Sequence, residues 1–230
     1  MKKIGLLGGM SWESSLEYYK LMNELVKSKL GGSHSVKCLL HSFDFHEIEE
    51  LQHSGKWEEL TSLLVKEAEN LKKAGAECIV ICTNTMHLMA PDIEASTGLK
   101  VIHIAEVTGD EIIKRKVNKV LLLGTKFTME SSFYKERLEN KGIEVIIPNE
   151  LDRQIIHDII YNELILGLIK EESKESYIKI INKMIEEGIE GVVLGCTEIP
   201  MLIKRGDVPV EVFDTTEIHS RAAVDFATQD

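Results

Sequence analysis

Short runs of apolar, often β-branched residues alternate along the chain with longer stretches in which apolar positions recur every three or four residues. The short runs predict buried strands, and the longer stretches predict amphipathic helices that pack on a sheet. Two clear examples of the helical period lie at 57–74 and 177–187. Eight strands are predicted, in two sets of four: 3–8, 36–43, 77–82 and 101–104, then 119–124, 144–147, 191–195 and 210–213.

Three blocks of the first half of the chain recur in the same order in the second half, which is typical of an internal duplication. One such coincidence carries little weight, whereas three in order predict a duplicated α/β lobe. The middle block aligns without a gap. The paired blocks are 4–8 and 13–15 with 120–124 and 130–132, 74–83 with 187–196, and 99–104 with 208–213.

The predicted fold class is α/β, because strands that alternate with helices form parallel sheets covered on both faces. We expect two pseudo-symmetric lobes, each a mostly parallel four-stranded sheet flanked by helices. The first lobe is predicted over residues 1–105, with a C-terminal helix at 215–230 packing back on it, and the second over 106–214. Open α/β sheets bind ligands at the carboxyl ends of their strands, so the active site is expected in a cleft between the lobes.

The composition argues against several classes of protein. Hydrophobic residues make up 43% of the 230 positions and charged residues 28%, as in globular proteins and unlike disordered chains. Asp and Glu total 38 against 27 Lys and Arg, without a basic run, which argues against nucleic acid or an anionic membrane surface as a partner. No apolar run approaches the ~20 residues of a membrane span, and a cytoplasmic protein is expected. The four cysteines fit neither a disulfide framework nor a metal site.

Two strand-to-helix junctions carry the candidate chemistry. The gapless alignment pairs Thr83 with Cys196, and groups related by a pseudo-twofold axis approach one bound molecule from opposite sides. That arrangement suits inversion at a carbon centre, where one group removes a proton and another delivers one to the opposite face. A helix start offers N–H groups to a carboxylate and lowers a thiol pKa, which makes Cys196 the best candidate base. The junctions read Thr83-Asn84-Thr85-Met86-His87 and Cys196-Thr197-Glu198-Ile199-Pro200.

Other residues near the predicted strand ends add to this site. Cys82 aligns with Gly195 and points away from Thr83 by the strand period, so it is predicted to be structural. Thr125 and Thr128 offer hydroxyl and N–H groups to a carboxylate, although a simple turn and helix cap explains them about as well. The matching loop of the first lobe contains Met10 and Ser11. Its glycine spacing is not the G-x-G-x-x-G of dinucleotide folds, and no nucleotide cofactor is predicted.

Residues 5–14 (GLLGGMSWES), 82–87 (CTNTMH) and 195–198 (GCTE) closely resemble the aspartate/glutamate racemase family of pyridoxal-phosphate-independent amino-acid racemases. The likeness runs from the first residues to 213–219. It implies two pseudo-symmetric α/β lobes, an active site between them, no cofactor, frequent homodimers, and two catalytic cysteines acting as acid and base on opposite faces of Cα.

Thr83 departs from that pattern, because it stands where the two-cysteine members have their first thiol, and the chain resembles the threonine/cysteine subgroup. A hydroxyl is a much weaker acid than a thiol, so Thr83 is expected to relay or donate a proton. Cys196 is expected to act as the thiolate on the enantiomer facing it, which the family implies is L. The cations with which two-cysteine aspartate racemases meet the side-chain carboxylate have no counterpart here. Gln52 is predicted to contact that carboxylate, with a solvated helix position as an equal alternative, and Glu163 to hold the α-ammonium.

The predicted activity is therefore cofactor-independent racemisation of aspartate, glutamate or both. Two other functions stay open: a related cysteine-dependent enzyme, such as a hydantoin racemase or a malonate-type decarboxylase, and a ligand-binding protein that has lost turnover with the first thiol. The predicted catalytic residues are Thr83 and Cys196. The predicted substrate-binding residues are Met10, Ser11, Gln52, Asn84, Thr85, Thr125, Thr128, Glu163, Thr197 and Glu198.

Overall fold

The computed structural model describes residues 1–229, so Asp230, the last residue of the predicted C-terminal helix, lies outside it. The strands are β1 (Ile4–Gly8), β2 (Cys38–Ser42), β3 (Cys78–Ile81), β4 (Lys100–Val101), β5 (Lys119–Gly124), β6 (Glu144–Ile146), β7 (Gly191–Gly195) and β8 (Glu211–Asp214). The α-helices are α1 (Trp12–Leu30), α2 (Phe45–His53), α3 (Trp57–Lys73), α4 (Ala90–Thr97), α5 (Ile104–Lys114), α6 (Lys126–Glu130), α7 (Ser132–Glu139), α8 (Glu150–Asn162), α9 (Glu171–Glu186), α10 (Ile199–Leu202) and α11 (Thr215–Thr228). Two 3-10 helices lie at Thr85–Met89 and Leu164–Leu166.

Contacts divide the chain into two compact units. Unit 1 comprises Met1–His103 and the chain from His219 onward, and unit 2 comprises Ile104–Ile218. Unit 1 contains a sheet of order β2-β1-β3-β4, and unit 2 contains a sheet of order β6-β5-β7-β8. Neighbouring strands are parallel throughout both sheets. The predicted α/β class with two four-stranded parallel sheets flanked by helices is confirmed.

The strand registers support the first two blocks of the internal repeat. Ile4 pairs with Cys78 in unit 1, and Val120 pairs with Gly191 in unit 2. These are the residues that the sequence alignment matched, so they hold equivalent positions in the two ladders. Because this register continues to the strand ends, Thr83 and Cys196 follow equivalent strands.

The alignment of the third pair of blocks, 99–104 with 208–213, is wrong by two positions. Val101 pairs with Ile79, and Val212 pairs with Val192, so Val101 corresponds to Val212 and not to Val210. A shift by two residues keeps every side chain on the same face of a strand, so the apolar pattern fits both registers equally well and cannot distinguish them. The predicted strand at 101–104 is also too long, because the chain leaves the sheet after Val101 and Ile104 begins α5.

Each unit buries its own core. In unit 1, Leu60, Leu64 and Leu71 of α3 pack with Ile79 and Ile81 of β3. In unit 2, α8 and α9 cover one face of the sheet, and α5 and α7 cover the other. Burial of apolar area stabilises the folded state by roughly 25 cal/mol per Å². The packed helices therefore hold each sheet, including its strand ends, in place.

The end of α11 packs within unit 1. The Lys2 N–H donates to the carbonyl oxygen of Ala227 at 2.8 Å, and the Lys29 ammonium lies 2.7 Å from Asp225. Within residues 1–229, no helix is both long and apolar enough to cross a membrane. The same part of the chain holds no group of three His, Cys, Asp or Glu side chains arranged as metal ligands. The four cysteines form no disulfide bond.

Candidate active site

The junction after β3 carries Thr83. The strand ends at Ile81, and Thr85 starts a 3-10 helix. Thr83 and Thr85 are half-buried, whereas Asn84 and Cys82 are buried. Burial raises the pKa of the Cys82 thiol far above its ordinary value, which keeps it a neutral thiol. Of the adjacent side chains Cys82 and Thr83, the partly accessible one is therefore Thr83.

Side chains hold both carbonyl groups of this junction. The Ser14 hydroxyl donates to the carbonyl oxygen of Cys82 at 2.6 Å. The imidazole Nδ1 of His87 lies 2.8 Å from the carbonyl oxygen of Thr83. These bonds satisfy carbonyl groups at a strand end, where the ladder no longer provides partners.

The loop after β1 contains the predicted residues Met10 and Ser11, and both are buried. Ser11 caps α1 by accepting from the Ser14 N–H, and the Ser15 hydroxyl accepts from the Gly9 N–H at 2.7 Å. A Cβ on Gly8 would lie 2.4 Å from the Ser15 Oγ, so the close approach of α1 to β1 requires glycine there. The loop is thereby fixed against the end of β1.

Gln52 lies on α2 and is buried, so the alternative of a solvated helix residue is wrong. Its amide Nε2 is 3.9 Å from the thioether sulfur of Met86, in the 3-10 helix that follows Thr83. The burial of Gln52 results from the tertiary packing of α2, and the polarity of its side chain alone does not predict that burial. Gln52 therefore belongs to the surroundings of the Thr83 junction.

The junction after β7 places Cys196 beside a carboxylate. The Cys196 thiol donates to Oε2 of Glu198 at 2.9 Å, and the Thr197 hydroxyl donates to the same oxygen at 2.8 Å. Cys196 and Glu198 are only 9% and 5% exposed, so this pair is largely screened from water. A thiol and a carboxylate at this distance can share or exchange a proton.

The pKa of Cys196 is raised, and the expectation that the helix start lowers it is wrong. Burial raises this pKa most, followed by the negative charge of Glu198 and its hydrogen bond to the thiol. The backbone N–H groups of Thr197 and Glu198 lower the pKa but do not outweigh these causes. The following helix, α10, has four residues and contributes little dipole.

Glu163 belongs to the same polar group of unit 2. Its carboxylate accepts from the Ser173 hydroxyl at 2.5 Å and lies 3.1 Å from the Lys170 ammonium, and both contacts lower its pKa. The pKa of the buried Tyr177 is raised mainly by burial and then by the charges of Cys196, Glu163 and Glu198. Tyr177 therefore interacts electrostatically with both this carboxylate and the Cys196–Glu198 pair. Glu163 is thus an ionised group that binds an ammonium in this structure.

Thr125 caps α6 after β5. Its hydroxyl accepts from the Thr128 N–H at 3.3 Å, and the two hydroxyl groups are also 3.3 Å apart. The helix-cap alternative therefore describes what Thr125 does here. Gly124 lies opposite Gly195 in the ladder, and a Cβ on either would come within 3.0 Å of the partner strand's backbone. The two glycines let β5 and β7 end side by side.

Sequence reasoning missed the roles of four residues at these junctions: Ser14, Ser15, His87 and Glu198. Ser14 and Ser15 lie in a repeated block, but the repeat does not reveal that their hydroxyl groups bond to the backbone of this region. His87 stood in the first junction, but nothing in the sequence shows that its ring reaches back to Thr83. The role of Glu198 as the partner of the thiol also needed coordinates.

Comparisons with known proteins identify the family. A profile of the family described as Asp/Glu/Hydantoin racemase matches residues 7–223. The structure is similar to that of a Yersinia pestis protein assigned provisionally as an Asp/Glu racemase, with 52% identity, a TM-score of 0.94 and full coverage of both chains. It is also similar to an aspartate racemase homologue from Pyrococcus horikoshii OT3, with 42% identity, a TM-score of 0.88 and full coverage of both chains. The broad specificity amino-acid racemase RacX of Bacillus subtilis is 22% identical over 96% of each chain. The chain therefore belongs to the Asp/Glu/hydantoin racemase family, and the predicted isomerase of the amino-acid racemase type is confirmed.

Proposed function

We propose that the chain racemises an acidic amino acid, aspartate or glutamate, by two-base proton transfer at Cα without a cofactor. Cys196 acts on one face of Cα and Thr83 on the other. The single observation that carries this proposal is the buried thiol–carboxylate pair of Cys196 and Glu198 at the end of β7. The names of relatives support the substrate class, because they include aspartate and glutamate racemases.

The Cys196 half-reaction begins with transfer of the thiol proton to Glu198 along the 2.9 Å hydrogen bond. The resulting thiolate takes the proton from Cα, whose carbon–hydrogen electron pair stays on the substrate as a carbanion stabilised by the carboxylate group. The thiol is then regenerated, and Glu198 returns its proton to solvent. This sequence lets a thiol with a raised pKa serve as a base without being ionised in the resting enzyme.

Thr83 completes inversion from the opposite face. Its hydroxyl donates a proton to the carbanion and regains one from water, so the hydroxyl acts as a relay and needs no stable alkoxide. Because a hydroxyl is a poorer base than a thiolate, removal of a proton by Thr83 is the slower first step. The two enantiomers are therefore handled unequally, with L facing Cys196.

The remaining predicted residues bind the substrate. We assign the α-carboxylate to the backbone N–H groups and hydroxyls around Asn84, Thr85, Thr125, Thr128 and Thr197, and the α-ammonium to Glu163. Met10, Ser11 and Gln52 then shape the position of the side-chain carboxylate. Glu163 already binds the ammonium of Lys170 at 3.1 Å, which is the interaction that a substrate ammonium requires.

The chain is also proposed to form a homodimer. Trp12, Leu16 and Tyr19 are 64%, 56% and 50% exposed and recur at helical spacing on α1. A continuous apolar stripe of this kind on a helix surface is typical of a protein contact. A second copy of the chain is the partner that the family resemblance implies.

The test is incubation with L- and D-aspartate and L- and D-glutamate in D₂O, followed by NMR of Cα exchange and chiral analysis of inversion. We expect exchange and inversion that survive exhaustive dialysis and hydroxylamine. Cys196→Ala should abolish both, whereas Cys82→Ala, the matched thiol control, should retain both. Activity that requires added pyridoxal phosphate, flavin or metal contradicts the proposal.

Thr83 variants test the opposite face. Thr83→Ala should lose inversion more severely than exchange from the L enantiomer, because Cys196 can still remove the Cα proton and, after its thiol has exchanged with D₂O, return a deuteron to the same face. Thr83→Cys should raise turnover of the D enantiomer by adding a second thiol base. Exchange-to-inversion ratios that neither substitution changes would show that another group delivers the second proton. Hydantoins, assayed in parallel, test the related racemase that the family description includes.

A further inference from the structure

Two side chains fix the peptide groups on both sides of Thr83. Ser14 binds the carbonyl oxygen of Cys82, which belongs to the peptide before Thr83, at 2.6 Å. His87 binds the carbonyl oxygen of Thr83, which belongs to the peptide after it, at 2.8 Å. A carbonyl oxygen only accepts, so the Nδ1 of His87 carries the proton. The backbone N–H of His87 bonds instead to Asn84, which leaves the contact with Thr83 to the ring.

The equivalent junction of unit 2 is built differently. The Cys196 carbonyl oxygen accepts from the backbone N–H of Ile199 at 3.3 Å. The residue that aligns with His87 is Pro200, whose side chain has no donor. The imidazole contact is therefore specific to the junction that carries threonine in place of a thiol.

The His87 ring is itself held by a buried aromatic group. His87 is 1% exposed, and its ring centroid lies 4.8 Å from that of His103 and 5.2 Å from that of His219. His219 donates from Nε2 to the Ile102 carbonyl oxygen at 2.5 Å and accepts at Nδ1 from the Tyr18 hydroxyl at 2.7 Å. Both rings thus have one defined tautomer and little room to turn.

We propose that His87 is a positioning residue for Thr83, fixing the direction of its hydroxyl through the Thr83 carbonyl group. Threonine is β-branched and has few side-chain rotamers, so a fixed backbone also fixes the hydroxyl. A weak acid relays a proton only from a narrow range of positions, and misplacement by about 1 Å can cost ~100-fold in rate. The inference rests on the proposed function, because it concerns the Thr83 half of that reaction.

Two substitutions of His87 separate the hydrogen bond from the bulk of the ring. In His87→Asn the side-chain nitrogen takes the place of Nδ1 and can still donate to Thr83. In His87→Gln the nitrogen takes the place of Nε2, farther along the side chain, and does not. His34→Gln, on an exposed residue of unit 1, is the matched control. Urea unfolding of each variant establishes the folded fraction.

The readout is the ratio of inversion to Cα exchange from the L enantiomer in D₂O. We expect His87→Gln to lower this ratio by ~10-fold or more, and His87→Asn and His34→Gln to change it by less than ~3-fold, given the sensitivity of proton transfer to position. Exchange itself, which needs only Cys196, should stay within ~3-fold of wild type in all three, because that half-reaction does not use Thr83. Equal ratios in the Asn and Gln variants, or equal loss of exchange and inversion, would overturn the inference.

NMR of protein labelled with ¹⁵N-histidine provides a test that does not need turnover. His87 should carry its proton on Nδ1 and His219 on Nε2 at neutral pH. A His87 proton on Nε2 would overturn the inference directly. Wild-type protein that exchanges no Cα proton of any acidic amino acid would refute the proposed function and the inference with it. If His87 nevertheless carries its proton on Nδ1 in that protein, the missing activity does not come from a missing His87–Thr83 hydrogen bond.

Discussion

The thiol of Cys196 is placed where it does not ionise spontaneously. Burial and the adjacent Glu198 carboxylate both raise its pKa, so the resting form is a protonated thiol bonded to the carboxylate. Such a pair shares one proton between two acceptors, and the thiolate forms when that proton moves to the carboxylate. Glu198 therefore controls the protonation state of the Cys196 thiol, and through it the ability of Cys196 to act as a base.

Glu198→Gln separates the two effects of that neighbour. Removing the negative charge should lower the pKa of Cys196, so alkylation of Cys196 by iodoacetamide should reach half its limiting rate at a lower pH. Racemisation should nevertheless fall by ~10²–10⁴-fold, the usual contribution of a positioned proton acceptor. Peptide mapping by mass spectrometry follows Cys196 separately from the half-buried Cys38.

The control for this variant is Glu186→Gln, on the exposed side of α9. It should leave both the alkylation profile and the racemisation rate within ~2-fold of wild type, as surface changes generally do. An alkylation profile that moves to higher pH in Glu198→Gln would contradict the assigned cause of the raised pKa.

At the scale of elements, strand ends decide where the chemistry lies. The predicted bounds of β5 and β7 agree with the structure, because both are apolar runs closed by glycine. β4 was misplaced, since its two residues give too short a pattern to fix a register. Gln52 was left between two alternatives for a different reason: its partner Met86 lies 34 residues away and is brought near only by tertiary packing.

Gly195→Ala tests the ending of β7. An added Cβ would lie 2.7 Å from the backbone oxygen of Leu123, so either β5 or β7 has to shift. We expect a loss of about 1–3 kcal/mol in the free energy of unfolding, as for other overpacked sites, together with a lower kcat because Cys196 is the next residue. Urea unfolding and the racemisation assay measure both. An unchanged unfolding midpoint would show that the sheet accommodates the methyl group without strain.

The C-terminal helix α11 brings a titratable group into the core of unit 1. Burial and the neighbouring His87 hold the pKa of His219 well below its ordinary value. The folded protein therefore keeps His219 neutral, while the unfolded chain takes up a proton below pH ~6.5. Stability from this residue is complete above that pH and is lost as the pH falls.

His219→Gln should flatten this dependence, because an amide can still donate to the Ile102 carbonyl oxygen but cannot titrate. Between pH 7.5 and 5, its free energy of unfolding should fall less steeply than that of wild type, by up to ~1.4 kcal/mol per pH unit. Urea unfolding at several pH values measures the slopes. Exposed His34→Gln should keep the wild-type slope, and identical slopes in all three proteins would contradict the assignment.

At the scale of the whole molecule, the apolar stripe on α1 predicts the oligomeric state. Leu16→Glu places a charge in the middle of the stripe and should convert the dimer to a monomer, measured by light scattering after size-exclusion chromatography. Leu168→Glu, at a leucine of unit 2 that is 48% exposed against 56% for Leu16, should leave the proposed dimer intact. A wild-type monomer, or dissociation by Leu168→Glu alone, would contradict the assigned surface.

The repeated order of blocks was enough to predict two sheets of the same kind. Ile4 and Val120 hold equivalent positions in β1 and β5, and a short continuous apolar run predicts a buried strand of this kind in any sequence. The hydrogen bonds that organise each junction were not predictable. Ser14 reaches Cys82, and Tyr18 reaches His219, across long stretches of chain whose proximity depends on the complete fold.

The division of unit 1 between the two ends of the chain also sets an order of assembly on the ribosome. Residues of β1 to β4 are translated first, but their unit lacks the imidazole of His219 until the last helix has emerged. Unit 2 is one continuous segment and can finish folding earlier, so the usual order in which the N-terminal part folds first is reversed. In nascent chains, the hydrogen bond between Tyr18 and His219 forms only after α11 has been translated, so chaperones have more time to bind the face of α1 that carries Tyr18.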